Sequence, residues 1–185
     1  MKVLIATDGS AHAMHAAEFL SRLPHRDPLE LTILTSIAYP NLHPADAVTI
    51  WPPEIWDQLK DSADEAVDRA ERLFEGADAT VKKVVLDGHA GQVIVDKASS
   101  IGADLIVLGA KGHSPVERIM LGSVSDFVAN HATCGVIVIR PPKGGKEPSR
   151  LTTTIAYDGS QRAERAIDQF TEFGWGRTTQ THVLT

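Results

Sequence analysis

The feature that most limits what this chain can fold into is an alternation that runs through residues 1–141. Short apolar runs are each followed by a segment with helical spacing. The first run, Val3 to Ala6, is uniformly apolar and is broken by Thr7-Asp8-Gly9-Ser10, as expected of a strand buried on both faces. After it Ala13, Ala16, Ala17, Leu20 and Leu23 recur at helical spacing, with Ser10 as the N-cap. The pattern predicts further strands from Leu31 to Ile37, Thr80 to Leu86, Leu105 to Leu108 and Val136 to Ile139. Helices are predicted from about Glu54 to Phe74, Gly91 to Ile101 and Ser123 to Ala132. Strands that alternate with helices form a parallel sheet wrapped on both faces, so the fold class is α/β, an open doubly wound sheet.

Two stretches fall outside the alternation. Between Tyr39 and Trp56, Pro40, Pro44, Pro52 and Pro53 exclude a regular element, and the stretch reads as a loop folded over the core; a lid or partner-binding role is the alternative. Residues 142–150, within "RPPKGGKEPSR", have linker chemistry. Beyond the linker the chain repeats itself at a constant offset of 150 positions: Ile155, Ala156, Asp158, Gly159, Ser160 and Ala166 fall on Ile5, Ala6, Asp8, Gly9, Ser10 and Ala16. Leu184 and Thr185 fall on Leu34 and Thr35 at the same offset. Residues 151–185 therefore read as a second strand-helix-strand unit, too small to bury a stable core alone, which must pack on the first unit or on another chain.

Ligands of open parallel sheets sit beyond the carboxyl ends of the strands, where the strand order reverses. Two polar turns occupy such ends here, Thr7-Asp8-Gly9-Ser10 and Gly109-Ala110-Lys111-Gly112, and they share a crevice if their strands are neighbours. Gly109 and Gly112 would let backbone N–H groups approach an anion. "LGSVSD" opens a helix whose free N–H groups, with the hydroxyls of Ser123 and Ser125, add donors, an assembly suited to phosphate. The spacing is neither a P-loop nor a dinucleotide fingerprint.

Gly109, two residues, Gly112, nine residues and then Gly122-Ser123 resembles the ATP-binding signature G-2x-G-9x-G-[S/T] of the universal stress protein family. The opening strand with Asp8, the helix order and the "GVIVIR" strand extend the resemblance over residues 1–141, and residues 151–185 look like the start of a second such domain, as in tandem members. It implies a five-stranded sheet of order 3-2-1-4-5. It also implies an ATP site in which Asp8 meets the ribose or base, and the backbone at Ala6, Ser36 and Ile37 lies beside the adenine. Leu108 and Gly109 would lie by the ribose and first phosphates, and Gly112, Gly122, Ser123, Val124 and Ser125 would hold the phosphate chain, with Mg2+ or Mn2+ bound through the phosphates. Many members end the second strand with a valine against the adenine, where this chain has Ser36. In many members the last strand also pairs across a dimer, so a homodimer or higher homo-oligomer is implied through "GVIVI".

Other residues have plainer readings. Lys111 and Arg118 can pair with phosphate or stay solvated, and His113 and Ser114 share their loop. His12 and His15 read as a surface helix face rather than a metal pair, Cys134 as a small apolar residue, and Asp126 as pointing away from the anion. The run "KDSADEAVDRAERLFE" interleaves both signs at helical spacing, as a solvated helix face does. A net charge of -6 argues against nucleic acid or anionic membrane as partner, and one cysteine permits no intrachain disulfide. No apolar run approaches the roughly 20 residues of a membrane span and no leader is visible, so a cytoplasmic protein is expected. The function expected is ATP-dependent regulation in the stress response. The alternatives are a slow ATPase or phosphotransferase in the same pocket, for which no compelling base is seen, and an oligomerisation module with a vestigial site.

Overall fold

Uniformly apolar runs such as Val3 to Ala6 can be satisfied only where both faces of a strand are covered, and in the computed structural model they form the interior of one parallel sheet. The structure describes residues 1–25, 27–38, 53–111, 121–142, 151–177 and 179–185. The elements of the first unit run β1 (Lys2–Ala6), α1 (Ala11–Arg22), β2 (Leu29–Ile37), α2 (Pro53–Arg72), β3 (Ala79–Asp87), α3 (Ala90–Ile101), β4 (Leu105–Gly109), α4 (Ser123–His131) and β5 (Gly135–Ile139). The five strands lie in the order β3-β2-β1-β4-β5, every neighbouring pair parallel, as the resemblance implied. The order reverses between β1 and β4, in register from Val3↔Leu105 to Ala6↔Leu108, which opens a crevice at their carboxyl ends.

Alternate residues of the central strands feed two cores. Val3, Ile5, Leu31, Ile33, Leu105 and Val107 pack with α1 and α2 through Ala16, Ala17, Leu20 and Val67. Leu4, Ala6, Leu34, Ile106 and Leu108 pack with α3 and α4 through Ile94, Ala98 and Val128. The two small alanines let α1 sit close to the sheet, and Ser10 caps it, its Oγ accepting the Ala13 amide at 3.3 Å. α2 ends at Arg72, two residues before the expected Phe74. The Leu73 and Phe74 amides donate three residues back, to Ala70 and Glu71, and this tighter turn delivers Phe74 to the core. The proline-rich stretch 39–52 and most of the linker, 143–150, lie outside the described residues; Trp56 is an exposed residue of α2.

A second unit follows: β6 (Thr152–Ala156), α5 (Gln161–Glu172), a short 3-10 turn (Trp175–Arg177) and β7 (Gln180–Leu184), with β6 and β7 pairing in parallel as a sheet of their own. Its geometry repeats that of β1-α1-β2. The Ser10 amide donates to Asp8 Oδ1 at 3.0 Å and the Ser160 amide to Asp158 Oδ1 at 2.9 Å, while Gly9 and Gly159 adopt φ of 74° and 76°. Phe173, 8% exposed, and Trp175 join the α1/α2 core. Phe173 and Gln169 sit with Met1 and Asp104 at the amino ends of β1 and β4, away from the crevice.

Candidate functional site

The crevice at the switch point is a cleft of about 310 Å³. From β1 and its turn come Ala6, Thr7 and Asp8. The turn is internally braced: the Gly9 amide donates to Thr7 Oγ1 at 3.1 Å, the Ser10 amide to Asp8 Oδ1, and the Thr7 amide to the Leu34 carbonyl at 2.9 Å. Gly9, with φ of 74°, takes the left-handed conformation that this Asx turn requires before α1 begins. The exposed Asp8 is thus held at the mouth of the cleft.

From β4 come Leu108 and Gly109, followed by Lys111 at the rim. Gly109 has a packing reason to be glycine as well: a Cβ there would lie 2.8 Å from the His12 backbone carbon and 2.9 Å from the Ala13 nitrogen, so its absence lets α1 cross the end of β4. Gly122, Ser123, Val124 and Ser125 bring the N-terminus of α4 to the same cleft. Gly122 caps that helix without a side-chain hydrogen bond, and Ser123 is exposed at its first position. The first-turn amides are those a helix leaves without internal partners, and they carry its positive pole. Ser125 differs from the expectation: its hydroxyl is buried and lies 2.9 Å from the carbonyl oxygens of both Ala110 and Gly122.

Nine of the eleven residues singled out in the sequence line this cleft: Ala6, Asp8, Ser36, Leu108, Gly109 and the four from Gly122 to Ser125. Ile37 is not among the lining residues: alternation turns its side chain to the other face, while the backbone on which its expected role rests runs between the lining residues Ser36 and Ala38. Gly112, with His113, Ser114 and Arg118, lies outside the described residues. Sequence reasoning missed Ala13, Leu34, Ala38, Ala90 and Ile94, which supply the apolar wall. The strand period counted outward from Ser36 gives Leu34 and Ala38; nothing local marks Ala90 and Ile94, because α3 reaches the cleft only through tertiary packing. Asp126 is exposed and is not among the lining residues. Among the described residues no group of three His, Cys, Asp or Glu could hold a metal, and His15 lies 4.0 Å from Glu18 on the surface of α1. Burial pushes the half-buried Cys134 thiol above its ordinary value, with the charge of Asp104 acting in the same direction, which disfavours the thiolate.

The cleft is therefore bipolar. Backbone amides, Ser123 and Lys111 give a donor-rich end at β4 and α4, whereas Leu34, Ala38, Ala90 and Ile94 form an apolar end at β2 and α3. β2 and β4 are two strand spacings apart across β1, roughly 10 Å. An elongated ligand with a charged tail and a flat, weakly polar head matches that separation.

The family model of the universal stress protein family matches residues 1–140. A universal stress protein of Methanocaldococcus jannaschii is 30% identical over 142 residues, which cover 77% of this chain and 83% of that one. Among solved structures, a universal stress protein in complex with cAMP is 24% identical with a TM-score of 0.53, covering 76% of this chain and 97% of that one. An AMP-bound universal stress protein family protein from Arabidopsis thaliana is 15% identical with a TM-score of 0.53 over 80% of this chain and 99% of that one. A universal stress protein from Archaeoglobus fulgidus is 20% identical with a TM-score of 0.70, covering 98% of this chain and 64% of its own.

Proposed function

The chain belongs to the universal stress protein family, and we propose that it is a regulatory protein that binds an adenine nucleotide, ATP, in the cleft between β1 and β4. The observation that carries this reading is the convergence on one cleft of the α4 N-terminus, Ser123 and Lys111 at one end and an apolar wall at the other. The nucleotides named for related structures, cAMP and AMP, share the adenosine head and a phosphate tail, which supports the orientation with phosphate at α4. In this reading the ribose lies by Asp8 and Leu108, and the base lies toward Ser36 and Ile94. Gly112 is proposed as a further phosphate-site residue on its sequence spacing from Gly109 and Gly122 alone.

The donors around the cleft suit a cation that arrives on the nucleotide. Asp8 is the one carboxylate among its described lining residues, and Mg2+ keeps most of its waters while bound through phosphate oxygens. With one Asp8 oxygen accepting the Ser10 amide at the mouth of the site, binding rather than hydrolysis is the proposed activity. Self-association through the edge strand β5, whose Val136, Ile137 and Val138 are half-buried, is proposed as the output that nucleotide modulates. The residues beyond 150 are proposed to be the start of a second domain of the same kind.

Ser123→Asp tests the site. A carboxylate at the first position of α4 favours the helix dipole, so the thermal midpoint holds or rises, while the same charge repels phosphate. Isothermal titration with ATP and Mg2+ is expected to show wild-type binding and at least a tenfold loss in the variant, about 1.4 kcal/mol. Absence of wild-type binding, or equal affinity in the two proteins, would overturn the assignment.

A further inference from the structure

We infer that Ser125 is a positioning residue: its hydroxyl holds the N-terminus of α4 against the end of β4, and a bound phosphate meets the α4 amides and Ser123 instead of Ser125. The inference rests on the proposed nucleotide site. Ser125 is 2% exposed, and a serine hydroxyl has a single proton, which here faces two carbonyl oxygens at 2.9 Å, those of Ala110 and Gly122. Neither carbonyl can donate in return, so whichever takes the proton, it is committed inside the fold. A phosphate, itself an acceptor, would have to draw that proton out of a buried hydrogen bond.

The bond belongs to a small tie. The Ala110 oxygen also accepts the Gly122 amide at 2.7 Å, and the Ala110 amide donates to the Ile139 carbonyl at 2.7 Å. One buried residue at the end of β4 thus joins the start of α4 and the end of β5. The space is closely filled, since a Cβ on Gly122 would lie 3.3 Å from the Ala110 oxygen and 3.7 Å from Ser125 Oγ. Ala110 and Gly122 are therefore held together by bonds among the described residues. Both serines of "GSVS" line the cleft, but Ser123 is exposed at its mouth, whereas Ser125 is buried with its hydroxyl against two carbonyl oxygens.

Full-length Ser125→Ala and Ser125→Thr are compared with wild type by amide hydrogen exchange at Gly122 without ligand, and by titration with ADP and with adenosine. In Ser125→Ala the Gly122 amide is expected to exchange about five- to tenfold faster, as befits one lost hydrogen bond. ADP affinity is expected to fall by a similar factor, adenosine affinity to stay unchanged, and Ser125→Thr to restore both. Weaker ADP binding with unchanged exchange would make Ser125 a direct phosphate donor and overturn the inference. So would unchanged exchange and binding together, failure of threonine to restore exchange, or an equal loss for adenosine and ADP, which would indicate a general structural role. If wild type bound neither ligand, the nucleotide reading would fall along with the ligand half of the inference, and Gly122 exchange would still decide the brace.

Discussion

Gly109 illustrates how one residue answers two demands. Its place in a glycine-serine signature suggests room for an anion, whereas the contacts show room made for α1, whose His12 and Ala13 backbone atoms stand where a Cβ would go. These neighbours are backbone and cannot swing aside, so Gly109→Ala forces the helix and strand apart. A loss of about 1–3 kcal/mol, the usual cost of overpacking, is expected in urea unfolding. Nucleotide affinity should weaken as a consequence of that displacement. A variant as stable as wild type would mean that the helix has slack at this crossing. The serines were harder to separate by sequence, because Ser123 and Ser125 both stand in the first turn of a helix; only the depth of each position distinguishes them.

At the level of elements, the same strand-turn-helix module occurs twice with nearly identical local bonds and very different surroundings. The Ser10 and Ser160 oxygens accept the Ala13 and Ala163 amides at 3.3 and 3.2 Å. Ser10 is buried and Ser160 is half-buried, while β6 and β7 are largely exposed where β1 is enclosed. Loss of the first cap leaves a buried amide unsatisfied, whereas water can replace the second. Ser10→Ala is therefore expected to lower global stability by about 1–2 kcal/mol, and Ser160→Ala by roughly 0.5 kcal/mol or less, in chemical denaturation. Equal losses would show that both modules belong to one cooperative unit of similar packing. The helix ends were the least legible parts of the pattern: α2 leaves helical geometry two residues early because Phe74 has to reach the core, a demand that periodicity alone does not register.

Across the whole molecule, the cleft and the second unit sit at opposite ends of the same strands. Phe173 sits at the amino ends, and the candidate site lies at the carboxyl ends. The five-stranded sheet carries a core on each of its faces without the second unit. Removing residues 143–185 is therefore expected to leave a folded domain that binds ATP within about threefold of the full chain, at a lower thermal midpoint because Phe173 leaves the core. Scanning calorimetry and titration check both parts. Abolished binding in a folded truncation would mean that the second unit contributes to the site.

The sequence by itself determined the α/β class, through apolar runs that only a parallel sheet can bury on both sides, and it determined the internal repeat and the glycine-serine spacing that marks the cleft. It also supplied nine of the cleft's residues, because turns at strand ends and helix starts are local features and are written in consecutive letters. Tertiary structure decided what no local pattern encodes. It turned the Ile37 side chain away from the cleft and brought Ala90 and Ile94 into it, set Gly109 against the backbone of α1, and directed the Ser125 hydroxyl inward. Each of these depends on which distant backbone stands opposite a residue, and that is settled only when the sheet and both helical layers close together.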